Sequence, residues 1–184
     1  ADLDEIVGRM VKVIREVKPE VIITHDPSTD YGHPDHIATH KAALQAFHAA
    51  GDPAKYPETG PSFQPQKLYF GVRPHGTMKW IVRLMPLFGQ DPHHAGRNKD
   101  IDMTRMVSTE YPLHAVIRLT KRATESRRKA AACHASQGGG RPRPGPFRLL
   151  QVIQRLQGPR DYFTRVYPNP GPKKREKDLF SGVE

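Results

Sequence analysis

The chain has 184 residues, of which 29 are Lys or Arg and 19 are Asp or Glu, so its net charge at pH 7 is +10. This length suffices for one domain with a hydrophobic core and is short for two, and we predict a single domain over 1–184. No apolar run approaches the roughly 20 residues that cross a bilayer, and one cysteine, Cys133, excludes an internal disulfide. We therefore expect a cytoplasmic protein without a transmembrane segment.

The excess of positive charge would attract anionic partners at low salt. Basic residues are scattered over 118–129 and crowded at 173–177. Neither stretch has the interleaved aromatic residues that are typical of single-strand binding. We therefore expect no nucleic acid partner. The alternative from a different class of protein is a non-catalytic module that binds an anionic glycan or nucleic acid.

The first predicted elements are a helix, a strand and a second helix. Apolar residues recur at spacings of three and four from Leu3 to Val17, which predicts a helix with one buried face. The β-branched run at 21–24 predicts a buried parallel strand. After a polar loop at 25–32, Pro34 begins a helical pattern that continues to about residue 49. The loop therefore follows the carboxyl end of a strand, which is where open α/β sheets bind ligands.

The remainder of the chain has shorter and weaker patterns. They predict strands over 67–72, 99–106 and 162–166, helices over 78–87, 120–136 and 147–156, and irregular insertions over 51–66 and 138–160. Strands that alternate with helices are typical of an α/β fold.

The stretch 30–36 reads Asp-Tyr-Gly-His-Pro-Asp-His. Proline is favoured as the first residue of a helix, so Pro34 makes His33 the N-cap and places His36 three residues further along the same face. The backbone N–H groups and the positive dipole end at this point favour an anion and suit Asp35. These features predict a polar site. The alternative is that the same residues only begin a helix.

The density of titratable side chains favours the site over a simple helix start. One strand-loop-helix turn carries more of them than folding requires, and each is costly unless solvated or coordinated: His25, Asp26, Asp30, Tyr31, His33, Asp35, His36 and His40.

Other histidines are weaker candidates. His36 and His40 have the spacing of two-histidine zinc sites, but the accompanying glutamate is missing because residue 37 is Ile. We expect His40 to be packed or to support the site. His93 and His94 lie next to each other in a loop, where histidines are usually solvated.

The motif at 30–36, after a strand end that reads Thr-His-Asp-Pro, resembles the PIG-L/LmbE-like family of zinc-dependent de-N-acetylases. Two later segments are similar to the family as well: 132–137, which reads Ala-Cys-His-Ala-Ser-Gln, and the Asp-Leu-Phe at 178–180. The resemblance implies a Rossmann-like three-layer α/β/α domain with a mainly parallel sheet. It implies a hydrolase that removes the N-acetyl group of an N-acetylglucosamine-type conjugate. A same-fold amidase that acts on a thiol-sugar conjugate stays open.

The resemblance also implies roles for individual residues. His36 would be a ligand of Zn²⁺, and His33 a general acid or oxyanion stabiliser. Tyr31 would donate a hydrogen bond to the tetrahedral intermediate, and Asp35 would tune His33. His134 would either support the site or cap its helix. The implied partner is a small-molecule amino-sugar substrate, and a homo-oligomer stays open.

The chain departs from the family at one motif. The family's first strand ends in His-Pro-Asp-Asp, which supplies two further metal ligands and the general base, and that motif does not occur in this chain. We therefore expect an amino-terminally truncated domain that lacks its first strand or strands. Catalytic zinc needs about three protein ligands, so we expect the 184 residues alone to be inactive.

Overall fold

The computed structural model describes residues 2–28, 33–95, 99, 102–107, 109–134, 158–171 and 175–184. The chain divides into two compact units: a first unit of 1–73, 111–116 and 162–184, and a second unit of 74–110 and 117–161. The single truncated domain expected over 1–184 stays a prediction. Of the insertion expected at 138–160, residues 138–157 lie outside the described residues.

The described helices and strands can be given in chain order. They are α1 (Leu3–Val17), β1 (Val21–His25), α2 (Pro34–Gly51), β2 (Lys67–Val72), α3 (His75–Leu84), α4 (Met103–Met106), β3 (Ala115–Arg118), α5 (Lys121–Cys133) and β4 (Arg160–Tyr167). Short 3₁₀ helices lie at Pro57–Thr59 and Met85–Phe88. Within the described residues, no helix combines the length and apolar character needed to span a bilayer.

The described strands form one mixed sheet in the order β1-β2-β4-β3. β1 runs parallel to β2, with Val21 opposite Lys67, whereas β4 runs antiparallel to β2. The α/β class is confirmed, and the prediction of a mainly parallel sheet is wrong. The error has a physical reason: the residue pattern at 162–166 indicates a strand but not its direction, which depends on the connection that precedes it. The three-layer arrangement stays a prediction.

The core of the first unit lies between α1 and α2. Val7, Val11 and Ile14 of α1 are buried against three small residues of α2, which are Ala42, Ala46 and Ala50. Small side chains on one helix let the large side chains of the other fill the space between them. The predicted bounds of α1 are confirmed, and α2 begins at Pro34 as predicted. This packing fixes the carboxyl half of α2 against α1.

Arg15 organises the segment after α2, where the sequence predicts only an irregular insertion. Its side chain is 3 % exposed, and its guanidinium donates hydrogen bonds to one hydroxyl and to six backbone carbonyls. The acceptors are the carbonyls of Ala49, Ala50, Asp52, Lys55, Tyr56 and Gly60 and the hydroxyl of Thr59. Three of these carbonyls lie at the end of α2, where the helix dipole favours a cation.

Several predicted elements differ from the structure. β1 is parallel but not buried throughout, since Ile23 is 51 % exposed. The strand lies at an edge of the described sheet. The edge strand expected at 99–106 is wrong: Met103–Met106 is helical, and the Asp102 carboxylate caps it by accepting from the N–H of Thr104 at 2.9 Å. β3 was not predicted, and the helix expected at 147–156 lies outside the described residues.

The two predicted helices of the second unit are present with shifted ends. α3 begins at His75 rather than 78, and its continuation Met85–Phe88 is 3₁₀, since Pro86 has no N–H to offer an α-helix. α5 is capped by the Thr120 hydroxyl, which accepts from the N–H of Ala123 at 3.1 Å. It ends at Cys133, three residues before the predicted end.

A buried ionic network fixes the segment at 176–181 against the sheet. The Glu176 carboxylate accepts hydrogen bonds from Lys67 Nζ at 2.9 Å, from Tyr69 Oη at 2.5 Å and from Arg165 Nη1 at 2.8 Å. Burial by itself raises the pKa of Glu176, but the hydrogen bonds from Tyr69 and Lys67 and the charge of Arg165 outweigh it and lower the pKa below its usual value. The pKa of Tyr69 is raised, mainly by burial and then by its bond to Glu176.

Glu176→Gln is expected to lower the free energy of unfolding at pH 7 by about 3 kcal/mol, because two buried cations lose their counter-ion. The folded pKa of Glu176 lies below its unfolded value, so its contribution is present above the unfolded pKa and is lost as pH falls through the folded pKa. Urea unfolding of wild type and variant from pH 7 to pH 3 measures this. The stability difference should shrink with acid, and a difference independent of pH would contradict the assignment.

Candidate active site

The candidate site lies where β1 ends and α2 begins. His25 is the last residue of β1, His33 is the N-cap of α2 and Pro34 its first residue, so the predicted cap and helix start are confirmed. Nδ1 of His33 accepts a hydrogen bond from the Asp35 backbone N–H at 3.2 Å. An Nδ1 that accepts leaves the proton of a neutral imidazole on Nε2. The cap thus fixes which ring nitrogen of His33 carries the proton.

Three imidazoles are brought together here. The rings of His25 and His36 are stacked, with centroids 4.3 Å apart and planes 7° from parallel. The ring of His33 is tilted by 42° against that of His36, with centroids 5.3 Å apart. The predicted convergence of His33 and His36 is therefore confirmed. His25, which the sequence indicates only as one of many titratable groups, contacts His36 more closely than His33 does.

His40 contacts both strands next to these three imidazoles. It is buried, its Nδ1 lies 2.7 Å from the carbonyl oxygen of His25, and its ring packs 5.0 Å from that of Phe70 on β2. The ring therefore ties α2 to the ends of both β1 and β2. Its contacts are those of a packed residue, which is one of the two roles expected for it.

Asp35 and Asp26 have opposite environments. The Asp35 carboxylate lies 3.8 Å from His33 Nδ1, and its side chain is largely exposed, so solvent weakens its effect on the imidazole. Asp26 is buried, and its carboxylate accepts from the Ser28 N–H at 2.8 Å and from the Ser28 hydroxyl. The predicted tuning of His33 by Asp35 stays a prediction.

Tyr111 is a residue that sequence reasoning missed. The Ser28 N–H also donates to its hydroxyl oxygen at 3.2 Å. Ser28 lies 83 positions away in sequence, and Tyr111 lies in no local motif, so no signal in the sequence could have found this contact. It connects the loop after β1 to the segment at 111–116.

The remaining candidates are residues of the second unit or lie outside the described residues. Tyr31 and Asp30 are outside them. His134 is the exposed C-cap of α5 in the second unit. The exposed imidazole of His94 lies 2.7 Å from the Asp91 carboxylate, and its hydrogen bond, with that of the His93 N–H, lowers the pKa of Asp91. His93 and His94 are thus mainly exposed loop residues, as predicted.

The donor set fits part of a metal site. Imidazole nitrogen is a ligand that zinc prefers, and His33 and His36 present two such rings at one helix end. Within the part of the chain that the structure describes, no group of three or more His, Cys, Asp or Glu side chains is arranged to hold a metal ion. The described residues therefore do not make a complete zinc site by themselves, and the ligand role of His36 stays a prediction.

The imidazoles lie at the carboxyl end of β1, where open α/β sheets bind ligands, and the comparison with known proteins points to a class of hydrolases. A family model described as PIG-L, GlcNAc-PI de-N-acetylase, matches residues 1–47. The 1D-myo-inositol 2-acetamido-2-deoxy-alpha-D-glucopyranoside deacetylase of Geodermatophilus obscurus is 34 % identical over 188 residues, which cover 100 % of this chain and 61 % of that protein.

Two further relatives align over nearly the whole chain. The deacetylase of the same name from Rhodococcus jostii is 30 % identical over 191 residues, covering 100 % of this chain and 61 % of the relative. Mycothiol S-conjugate amidase of Streptomyces coelicolor is 31 % identical over 189 residues, covering 99 % of this chain and 61 % of the relative. The chain is similar to the PIG-L/LmbE-like family, and it spans 61 % of the length of these curated relatives.

Proposed function

We propose that the protein hydrolyses the N-acetyl group of an N-acetylglucosamine-type conjugate and releases acetate and a free amino sugar. The observation that carries this proposal is the convergence of His33 and His36 at the amino end of α2, in a chain that aligns over its whole length with a deacetylase of an acetamido sugar linked to inositol. A helix amino end offers unpaired backbone N–H groups and a positive dipole, which favour the anion that develops as an amide is attacked.

His33 is suited to protonate the departing amine. The acid form is the imidazolium, which carries protons on both ring nitrogens, so its formation replaces the hydrogen bond that Nδ1 accepts from the Asp35 N–H. Nε2 is proposed to give the proton. A positioned imidazole of this kind is a common general acid. Tyr31 is proposed as a hydrogen-bond donor to the oxyanion, and Asp35 as a group that tunes His33.

His36 is proposed as a ligand of Zn²⁺. Stacking on His25 holds its ring in one orientation, which is what a ligand requires if it is to be preorganised. When bound, zinc would supply Lewis acidity and a water molecule activated near neutral pH. No described carboxylate is assigned as the general base. A cytoplasmic location is proposed on the single Cys133.

A second candidate is supported by one specific comparison. Mycothiol S-conjugate amidase of Streptomyces coelicolor is 31 % identical to this chain, against 34 % and 30 % for the two deacetylases, so an amidase that acts on a thiol-sugar conjugate is the alternative. Both reactions cleave an amide on a sugar amine, and they differ in the acyl group that leaves.

Because the 184 residues alone are expected to be inactive, residues 1–184 are joined to an upstream segment that carries the family's His-Pro-Asp-Asp motif. Assay of this protein on two substrates distinguishes the two functions. We expect acetate release from an N-acetylglucosaminyl inositol, with slower cleavage of a conjugate in which a thiol-bearing acyl group replaces acetyl. A preparation of His36→Ala serves as the inactive control. Cleavage of the thiol conjugate alone would establish the amidase instead, and cleavage of neither substrate by a zinc-loaded protein would contradict both proposals.

A further inference from the structure

The helix α3 and the 3₁₀ turn after it expose an unusual amount of apolar surface. Three large side chains within nine residues are more than half exposed: Trp80 at 65 %, Leu87 at 78 % and Phe88 at 60 %. The same segment also has a buried side, where Ile81, Val82 and Met85 pack with Met103. The helix is therefore already anchored in its own unit, and its exposed apolar residues are not needed for that packing. Clustered exposed apolar residues of this kind mark interaction sites.

Basic side chains flank these apolar residues. Arg83 follows Trp80 by one turn, and its guanidinium lies 6.0 Å from the centroid of the indole ring. Lys79 is also exposed and forms a 2.5 Å ion pair with Glu110. The name "Trp80 patch" is used here for the exposed residues Lys79, Trp80, Arg83, Leu87 and Phe88.

The charge of the protein is distributed very unevenly between its two units. The second unit, which contains the Trp80 patch, has 16 Lys and Arg against six Asp and Glu, a net charge of +10. The first unit, which contains the candidate active site, has 13 of each and is neutral. In the second unit, α5 alone contributes five Lys and Arg to a helix without a buried residue. An anionic surface would therefore attract the second unit selectively.

We propose that the Trp80 patch docks the protein reversibly on an anionic lipid membrane. Trp80, Leu87 and Phe88 enter the boundary between headgroups and acyl chains, while Arg83 contacts the anionic headgroups and the positive net charge of the second unit attracts it to them. Amphipathic segments that bind in the plane of a membrane combine these features, with aromatic and aliphatic residues on one side and Lys or Arg beside them. The attraction between a basic segment and anionic lipid adds to the binding free energy that comes from burying the apolar side chains.

The composition of the patch favours lipid over nucleic acid. Single-stranded nucleic acid offers flat bases for aromatic stacking and phosphates for basic groups, but it offers no apolar medium for an aliphatic side chain. Leu87 is the most exposed of the three apolar residues, and of these two partners it is the acyl region of a bilayer that removes it from water. This docking does not depend on the proposed hydrolase activity, because no patch residue is assigned a role in catalysis.

Tryptophan fluorescence tests the proposal directly, because Trp80 is the only tryptophan of the chain. Vesicles of phosphatidylcholine with phosphatidylglycerol should shift its emission to shorter wavelength, and vesicles of phosphatidylcholine alone should not. High salt should reverse the shift, since screening weakens the attraction to the headgroups. Leu87→Ser with Phe88→Ser, which keeps the fluorophore, should weaken vesicle binding by about tenfold or more.

The matched control is Phe180→Ser, which removes an aromatic side chain that is 57 % exposed in the first unit. It should bind vesicles as the wild type does, and circular dichroism should show both variants folded. Emission unchanged by anionic vesicles would overturn the proposal, as would a double variant that binds like wild type. A salt-sensitive shift with single-stranded DNA and none with vesicles would replace the membrane by nucleic acid as the partner.

Discussion

Replacing His33 with alanine is expected to lower kcat for acetate release by about 10²- to 10⁴-fold, with zinc content unchanged. The variant is made in the acetate-releasing enzyme, which is residues 1–184 joined to the upstream segment with the family's first motif. A general acid contributes roughly this factor, and His33 is proposed to protonate the leaving amine without holding the metal. Its Nδ1 accepts from the Asp35 N–H, so the N-cap bond is lost as well and a small decrease in stability should accompany the loss of rate. Turnover, bound zinc and thermal stability measured on the same preparation separate these effects.

Two further variants serve as controls for this experiment. His48→Ala removes an exposed histidine of the same helix and should leave kcat close to that of wild type. Asp35→Asn should have a smaller effect than His33→Ala, since its exposed carboxylate is screened by solvent. If His33→Ala retained kcat within a few-fold of wild type, the acid would have to be another group.

Arg15→Met is expected to lower the free energy of unfolding by about 3 kcal/mol or more. The guanidinium donates to six backbone carbonyls and one hydroxyl, and each buried acceptor that loses its partner costs about 1–3 kcal/mol unless water replaces the donor. Total stabilities are only about 5–15 kcal/mol. The loss should appear as a lower urea midpoint. Arg15→Lys should recover only part of it, because an ammonium cannot reproduce the planar fork.

The matched control for Arg15 is Arg9→Met on the same helix. Arg9 is exposed and pairs with Glu5 one turn away at 2.5 Å, and such a pair contributes only about 0.3–0.5 kcal/mol. Equal urea midpoints for Arg15→Met and Arg9→Met would show that the buried hydrogen bonds of Arg15 do not hold the segment at 51–60 in place.

Local patterns predicted the elements that form the candidate site. The apolar spacing of α1, the β-branched run of β1 and the proline at the start of α2 each depend on neighbouring residues, and all three elements lie where they were expected. The position of Pro34 also predicted that His33 is the N-cap and that His36 lies on the same helix face. The tautomer of His33 could not be predicted, because it depends on the bond that its Nδ1 makes with the Asp35 N–H.

Features that depend on distant residues could not be predicted. The direction of β4, the stacking of His25 on His36 and the contact of Tyr111 with Ser28 are set by how the chain returns to the site, and no spacing in the sequence encodes them. The cluster of carbonyl groups around Arg15 could not be predicted for the same reason. A lone arginine on an amphipathic helix indicates a solvated residue, and only the path of residues 49–60 makes it buried.

The zinc content of His36→Ala, compared with wild type and His48→Ala, tests the central claim most directly. In the acetate-releasing enzyme, wild type and His48→Ala should carry the same amount of zinc per chain. His36→Ala should lose zinc and acetate release together, because removing a ligand weakens binding of the ion itself. A His36→Ala protein that keeps the zinc content of wild type would contradict the assignment of this imidazole to the metal.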